Sequence, residues 1–219
     1  GRDLIFPHHE NERAQSCCAY DDDFVRYWMH NAYVDMDGEK MSKSLGNVRT
    51  VRELGARYPG EVLRFALLTA HYRSPLNFSV EALESAQDAL DAFYGALRPH
   101  SGIDPAELKP INTAVYRALL DDINTPEAIA TLHATAKTLN KATDSKAIAD
   151  AKADLLIGGA LLGLVGEDPE AWFQRGDVQD GPAAEEIEAL IEERLLARST
   201  RDFDRADEIR QTLEERGVL

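Results

Sequence analysis

Residues 37–47 read DGEKMSKSLGN and form the most informative stretch of the chain. Two lysines, Lys40 and Lys43, alternate with small hydroxyl side chains between two glycines, a composition that predicts a mobile cationic loop. Lysine ammonium groups on a closing loop can stabilise the negative charge that builds on phosphoryl groups when ATP activates a carboxylate. The alternative for a generic Lys–Ser cluster is an exposed polar turn with solvated lysines.

Residues 40–44 resemble, letter for letter, the KMSKS signature of class I aminoacyl-tRNA synthetases, and LGN at 45–47 extends the match. The resemblance implies that the chain takes ATP, with Mg²⁺, as a substrate. It also implies catalytic roles for both lysines, with Lys43 as the principal ligand of the ATP phosphates and Lys40 as a supporting charge.

A second motif, DLIFPHHENE, occupies residues 3–12. His8 and Glu12 are spaced i, i+4, which places them on one face of a helix where both can reach one metal ion. On spacing alone, a surface hydrogen bond or ion pair is the more common outcome. Arg13 stands where a metalloprotease motif that begins at His9 would need its second histidine, which excludes that class. Cys17 and Cys18 lie too far along the same helix to complete a site.

This second motif resembles half of the zinc site of cysteinyl-tRNA synthetases. In that family a histidine and a glutamate four residues later join two cysteines from the preceding catalytic domain, so the resemblance implies one Zn²⁺ with His8 and Glu12 as ligands and two Cys ligands outside this chain. It also implies that Asp3 binds the substrate ammonium group. By the same analogy Trp28, in YWMHN, walls the amino-acid pocket, and His9 faces the nucleotide. A lone Trp is otherwise more often part of a core.

Helical periodicity dominates from Val80 onward. Ser79 is a plausible N-cap for the first helix, Pro126 is predicted at the first helical position of another, and residues 146–164 predict a further helix that ends near Gly166. A Gly-rich linker is expected at 176–182. Beyond it, one amphipathic helix is predicted on Ile187, Leu190, Ile191 and Leu195, and a second on Phe203, Ala206, Ile209 and Leu213, closed by Gly217.

The sequence therefore predicts an α/β remnant of a class I Rossmann-like catalytic domain, followed by a mainly α helical bundle and a C-terminal helical hairpin. The expected domains are 1–79 (end of the catalytic domain with the zinc half-site, KMSKS loop and stem-contact region), 80–175 (a DALR-like bundle) and 183–219 (an anticodon-binding hairpin). The segments 71–79 and 121–127 resemble the stem-contact and DALR regions of the same family.

The tail resembles the anticodon-binding end of that family, which implies tRNA-Cys as a partner. The candidate anticodon contacts are Arg198, Phe203 and Asp207, because Arg can fork onto a base edge, an aromatic ring can stack on an unpaired base and Asp can accept from an exocyclic amine. The alternative is that Phe203 anchors the core of the hairpin and the charged residues are solvated.

Composition limits the class of protein. The 219 residues carry a formal net charge of −15, which disfavours general nucleic-acid binding but allows one local basic surface on an acidic protein. No apolar run approaches the roughly 18 residues that span a bilayer, so no membrane partner is expected. Two adjacent cysteines give no disulfide framework, which favours the cytoplasm. A monomer is expected, and the start at Gly1 is interpreted as that of a fragment.

The function predicted from these motifs is cysteine–tRNA ligation, in which ATP, cysteine and tRNA-Cys give cysteinyl-tRNA, AMP and pyrophosphate. The chain lacks the HIGH half of the family, so by itself it is expected to be inactive. One alternative is a mycothiol-pathway cysteine ligase, which shares the zinc and KMSKS chemistry. Another is a non-catalytic tRNA-binding module.

Overall fold

A computed structural model describes residues 1–20, 23–36, 39–40, 50–175, 184–199 and 202–215. The chain forms two compact units, Gly1–Glu170 and Ala171–Leu219. The finer division into 1–79, 80–175 and 183–219 stays a prediction. None of the described helices has both the length and the apolar character needed to cross a membrane.

The N-terminal segment consists of two short helical turns, Arg2–Leu4 and Ile5–His9, followed by helix α1 (Glu10–Tyr20). Phe6 has an extended backbone (φ −131°, ψ 132°) and separates the first turns from the continuous helical run that begins beyond it. The sequence of α1, ENERAQSCCAY, offers few apolar side chains, and none of its residues is buried. The helix therefore presents its polar side chains to solvent.

A small sheet follows, with strand order β2-β1-β3 in the described part of the chain. Strand β1 (Val34–Met36) pairs antiparallel with β2 (Glu39–Lys40), with Asp35 opposite Lys40. It pairs in parallel with β3 (Leu76–Asn77) on its other side. The described fold is thus mainly helical with a small mixed sheet, and descent of this sheet from a Rossmann-like domain remains a proposal.

The remainder of the first unit is helical. Its helices are α2 (Val51–Gly55), α3 (Gly60–Leu68), α4 (Val80–Leu97), α5 (Ala114–Leu120), α6 (Thr125–Lys141) and α7 (Ser145–Leu162). The short helix α8 (Pro169–Phe173) begins in this unit and ends in the second. Single turns of 3₁₀ helix occur at Arg98–His100 and Pro110–Asn112. Side-chain caps set the starts of the long helices: the Ser79 hydroxyl accepts from the Ala82 amide, which confirms the predicted cap, and the Asp144 carboxylate accepts from Ala147.

The core of this unit lies where α4 packs on α3 and α6, and α6 packs on α7. Phe93 of α4 is fully buried, with ring centroids 6.1 Å from Phe65 and 4.8 Å from His133. The other fully buried large side chains of these helices are Leu83, Leu90, Tyr94, Leu97, Leu132, Leu139, Leu155 and Val62. Burial of each apolar side chain of this size contributes about 1.5–3 kcal/mol.

Two helix boundaries differ from the sequence prediction. Helix α7 ends at Leu162 rather than near Gly166, because Gly163 takes the left-handed conformation (φ 67°) and closes the helix. A side chain on Gly163 would also meet the Arg64 guanidinium at 2.6 Å. Pro126 occupies the second helical position of α6, and Asn124 is the residue that caps the helix.

The second unit contains α9 (Ala184–Ser199) and α10 (Phe203–Glu215), which pack against each other as the predicted hairpin. Among the described residues of these two helices, Ala197, Ala206, Ile209 and Leu213 are buried. Of the four apolar residues predicted on one face of α9, Ile187 and Leu190 are partly buried, whereas Ile191 and Leu195 are 44% and 61% exposed. The predicted linker at 176–182 and the closing Gly217 lie outside the described residues.

Candidate functional site

The two residues predicted as metal ligands, His8 and Glu12, lie close together around the start of α1. The Nδ1 atom of His8 lies 3.9 Å from an Oε1 atom of Glu12, and each side chain is about half exposed, at 55%. An imidazole nitrogen and a carboxylate oxygen that face solvent together fit half of a tetrahedral zinc site, which needs four ligands. Among the described residues, no group of three or more His, Cys, Asp or Glu side chains could hold a metal ion.

The two cysteines remain separate from this pair. Cys17 and Cys18 are free thiols on the same continuous helix. Cys17 follows Glu12 by five residues, which places it about 7.5 Å further along the axis and on a different face. The remaining ligands of a zinc site would therefore have to come from outside the described residues.

An aromatic wall lies beside the half-site. The Trp28 indole stacks on the His30 imidazole, with centroids 5.9 Å apart and planes at 17°, and also contacts Phe24 at 5.7 Å. His9 completes the group, 5.1 Å from His30 and 5.8 Å from Trp28. Trp28 is 43% exposed, so the alternative that it belongs to a core was wrong. Its ring is available to a ligand.

The rings of His9, Trp28 and His30 line an open cavity of about 320 Å³. Its walls are formed by Ile5, His9, Glu10, Arg13, Trp28 and His30. This volume is at the lower end of the range for small-molecule sites, roughly 300–1,000 Å³. The structure brings Trp28 and His9 together and adds His30, which sequence reasoning missed. The signal was its position two residues after Trp28, since alternate residues of an extended segment face the same side.

The electrostatics of the cavity favour a neutral His9. Partial burial lowers the pKa of its imidazole, and the nearby His30 ring lowers it further. The Nδ1 atoms of His9 and His30 are buried and have no hydrogen-bond partner among the described residues. Such atoms are costly to leave unpaired, so they are available for a polar ligand in the cavity.

Asp3 lies in the same neighbourhood. The Arg2 amide donates to the Asn31 carbonyl at 3.1 Å, which fastens the first turn to the segment that follows Trp28. The Asp3 carboxylate is close enough to His9 to oppose the lowering of its pKa. Its role as the ligand of a substrate ammonium group is compatible with this position and remains a prediction.

The structure describes residues on either side of positions 41–49, which contain the second part of the predicted phosphate loop (residues 37–47). Lys40 belongs to β2 and lies opposite Asp35 of β1 in the backbone register of the antiparallel pair. On the far side, Thr50 and Glu53 form a reciprocal capping box at the start of α2, with the Thr50 amide donating to Glu53 Oε2 at 2.7 Å. Lys43 lies outside the described residues, as do the other residues of 41–49.

In the second unit, the three predicted anticodon residues lie around one hollow. Arg198, Phe203 and Asp207 line a cavity of about 230 Å³ together with Arg194, Ala206 and Arg210. Phe203 is 61% exposed, so the alternative that it anchors the hairpin core was wrong. Sequence reasoning missed Arg194 and Arg210, although both follow from helical spacing, four residues before Arg198 and three after Asp207.

Comparison with known proteins agrees with these motifs. Residues 1–88 match the class I (C) tRNA synthetase catalytic domain, and residues 114–166 match the DALR domain. The cysteine–tRNA ligase of Saccharophagus degradans is 54% identical over 222 residues, covering all of this chain and 48% of the relative. Those of Paramagnetospirillum magneticum and Hyphomonas neptunium are 50% and 49% identical, covering all of this chain and 48% and 47% of the relatives.

The chain belongs to the cysteine–tRNA ligase family. It spans about half the length of the curated relatives it matches and corresponds to their C-terminal half. The half-site, the aromatic cavity and the phosphate loop all fall within the catalytic-domain match. The hairpin lies beyond both domain matches but within the region aligned to the cysteine–tRNA ligases.

Proposed function

We propose that this chain works as the C-terminal half of a cysteine–tRNA ligase. In the complete enzyme, ATP, taken with Mg²⁺, and cysteine would give cysteinyl-adenylate and pyrophosphate. The terminal hydroxyl of tRNA-Cys would then attack the adenylate. The observation that carries the proposal is the identity of about half of all positions with cysteine–tRNA ligases over the whole chain, combined with an intact KMSKS sequence.

The proposed site divides the work among this chain's residues. His8 and Glu12 would hold a zinc ion with two cysteines from the missing half. A bound zinc ion supplies a soft partner for the thiolate of the substrate, which the hydroxyl of serine cannot match. Asp3 would bind the substrate ammonium group, Trp28 would wall the amino-acid pocket, and His9 would face the nucleotide.

The phosphate loop would act on the nucleotide. Lys43 would meet the negative charge that develops on the phosphates as pyrophosphate departs, and Lys40 would support it from the end of β2. The domain division at 1–79, 80–175 and 183–219, a monomeric state and a cytoplasmic location are further parts of the proposal.

The test is activity of a full-length chain that joins this sequence to its nucleotide-binding half. Such a chain is expected to exchange pyrophosphate with ATP when cysteine is present, and to charge tRNA-Cys. Serine is the matched control substrate and should support neither reaction. The present 219 residues alone should be inactive, because they contain only part of the ATP site.

Two other outcomes would contradict the proposal. Cysteine activation followed by transfer to an amino-sugar, with tRNA-Cys left uncharged, would indicate a mycothiol-pathway ligase. Binding of tRNA-Cys by the full-length chain without any pyrophosphate exchange would indicate a non-catalytic module. The hollow of the hairpin favours the tRNA enzyme over the first of these, because its arginines and exposed Phe203 suit unpaired bases.

The hairpin gives a separate prediction. In the full-length chain, Arg198→Ala, Phe203→Ala and Asp207→Ala are expected to leave pyrophosphate exchange unchanged and to reduce charging of tRNA-Cys. Loss of a base contact costs about 1–3 kcal/mol, or roughly 5- to 150-fold in charging efficiency. The deficit should shrink on a tRNA whose anticodon is already altered, since the lost contact is then absent from the start.

The matched control is Arg205→Ala. Arg205 lies between Phe203 and Asp207 on α10, but its guanidinium pairs with Glu193 and Glu208 and does not line the hollow. Its loss should leave charging near the wild-type rate. Normal charging by both Arg198→Ala and Asp207→Ala would assign the hairpin a structural role and move anticodon recognition elsewhere.

A further inference from the structure

The corner between α5 and α6 has an unusual backbone. Asp122 and Ile123 both take left-handed conformations, with φ of 52° and 56°. Non-glycine residues rarely adopt this region, and two in succession need surrounding contacts to hold them there. Backbone hydrogen bonds provide part of that support, from the Ile123 amide to Leu119 and from the Asn124 amide to Asp121, each at 3.1 Å.

The Asp122 carboxylate makes three further hydrogen bonds to one segment. Arg73 donates from Nε to Oδ2 at 2.6 Å and from Nη2 to Oδ1 at 3.1 Å, and the Tyr72 phenol donates to Oδ1 at 2.7 Å. The Asp122 carbonyl oxygen also lies 3.0 Å from His71 Nε2. The Arg73 guanidinium, followed by the Tyr72 hydroxyl, holds the pKa of this carboxyl below its usual range. The carboxylate is therefore charged at neutral pH, and both of its oxygens accept hydrogen bonds.

The segment that Asp122 contacts, residues 71–73, is also hydrogen-bonded to the segment of β1 and leads into strand β3. The Tyr72 carbonyl accepts from the Ala32 amide at 2.8 Å, and the Leu76 amide donates to the Tyr33 carbonyl at 2.9 Å. Beyond these bonds β3 pairs in parallel with β1. Strand β1 follows Trp28 and His30 in sequence and pairs with Lys40 at the start of the phosphate loop. Hydrogen bonds thus link the helical corner to strand β1, which follows the segment of Trp28 and His30 in sequence and pairs with β2, the strand that ends at Lys40.

We infer that Asp122 is a positioning residue that fixes strand β1, and through it strand β2 with Lys40, against the helical bundle through Arg73 and Tyr72. This inference rests on the proposed function. The left-handed turn directs the Asp122 carboxylate toward residues 71–73. Because the Arg73 guanidinium binds this carboxylate through two hydrogen bonds, the pair fixes both the distance and the relative orientation of the two segments. Displacement of reacting groups by about 1 Å from a distant change can cost on the order of 10²-fold in rate.

The solvent exposure of the Asp122–Arg73 pair distinguishes a positioning role from a role in stability. The side chains of Asp122 and Arg73 are 47% and 51% exposed. Ion pairs in contact with water contribute little to the free energy of unfolding. Loss of the pair should therefore change the melting temperature only slightly, whereas a misplaced β1 should slow activation.

The experiment is a double-mutant cycle in the full-length chain. Asp122→Asn and Arg73→Gln are each expected to lower kcat of cysteine-dependent pyrophosphate exchange by roughly tenfold and to leave KM for cysteine within about twofold. The double variant should be no slower than either single variant, because both remove the same interaction. Exchange contains no tRNA, so a direct contact of Arg73 with RNA cannot produce this pattern.

The matched control is Asp121→Asn, which removes the adjacent carboxylate from the same corner and should retain the wild-type kcat. A wild-type kcat for Asp122→Asn would overturn the inference, and so would single-variant losses that multiply in the double variant. If Asp122→Asn does not fold, Arg73→Gln tests the same pair from the other side. Absence of exchange in the unmodified full-length chain would instead refute the proposed function.

Discussion

Replacement of Lys43 by alanine in the full-length chain is expected to slow cysteine activation on the order of 10²-fold or more. The proposed role of the Lys43 ammonium group is to meet charge that grows on the phosphates as pyrophosphate leaves. An interaction of this kind is made mainly in the transition state, so its loss lowers kcat and kcat/KM together. Cysteine binding should change far less, because the half-site and the aromatic cavity are built from other residues.

The measurement is cysteine-dependent pyrophosphate exchange at varied ATP and cysteine. Lys146→Ala is a suitable control, because Lys146 is 85% exposed, pairs with Asp150 on α7 and is remote in sequence from the loop. Its rate should equal that of the wild type. An activation rate for Lys43→Ala within about threefold of wild type would contradict the assignment, since a transition-state charge contact contributes far more than that.

The sequence predicted local features best. The cap at Ser79 and the hairpin of α9 and α10 depend on hydrogen bonds and apolar spacing within a short segment, and the structure has both. The end of α7 was missed because Leu164 and Val165 continue the apolar pattern beyond the helix. They are buried by tertiary packing after Gly163 has already ended the helical backbone.

Exposure of single side chains was harder to predict. Trp28 and Phe203 have core-like side chains, and only the arrangement of their neighbours leaves them open to a ligand. Leu195 is also exposed, although its spacing placed it on the apolar face of α9. The hairpin buries only a narrow strip of side chains that includes Ala197 and Ile209. A two-helix unit is too small to cover every apolar residue on both helices.

Contacts between distant segments lay beyond sequence reasoning altogether. Residues 71–79 and 121–127 were each recognised as separate family-like segments, but no pattern joined Arg73 to Asp122, which are 49 positions apart. Such a pair depends on the path of the four helical elements that lie between the two residues, and on a left-handed turn at a non-glycine residue. Neither feature leaves a periodic signal in the sequence.

Zinc should be bound by the full-length chain and hardly at all by the 219 residues alone. Two ligands on one exposed helical turn lack the four-ligand set that gives zinc sites their affinity, whereas the complete enzyme should carry about one zinc ion per chain. His8→Ala in the full-length chain removes a direct ligand. Substitution of residues that hydrogen-bond to metal ligands typically lowers metal affinity by about 10- to 100-fold. Loss of His8, a proposed direct ligand, should lower zinc affinity by at least about as much.

The functional consequence follows from the substrate. If zinc binds the cysteine thiolate, His8→Ala should raise KM for cysteine and reduce the preference for cysteine over serine, since the contact that serine cannot make is gone. Metal analysis and exchange with both amino acids measure the two effects on one preparation. Cys18→Ser is the matched control, because it alters an exposed thiol on the same helix that is not a proposed ligand, and it should retain zinc and activity. One equivalent of zinc in the isolated 219 residues, or full zinc content in His8→Ala, would refute the half-site, because either result requires a ligand set that does not depend on the proposed arrangement.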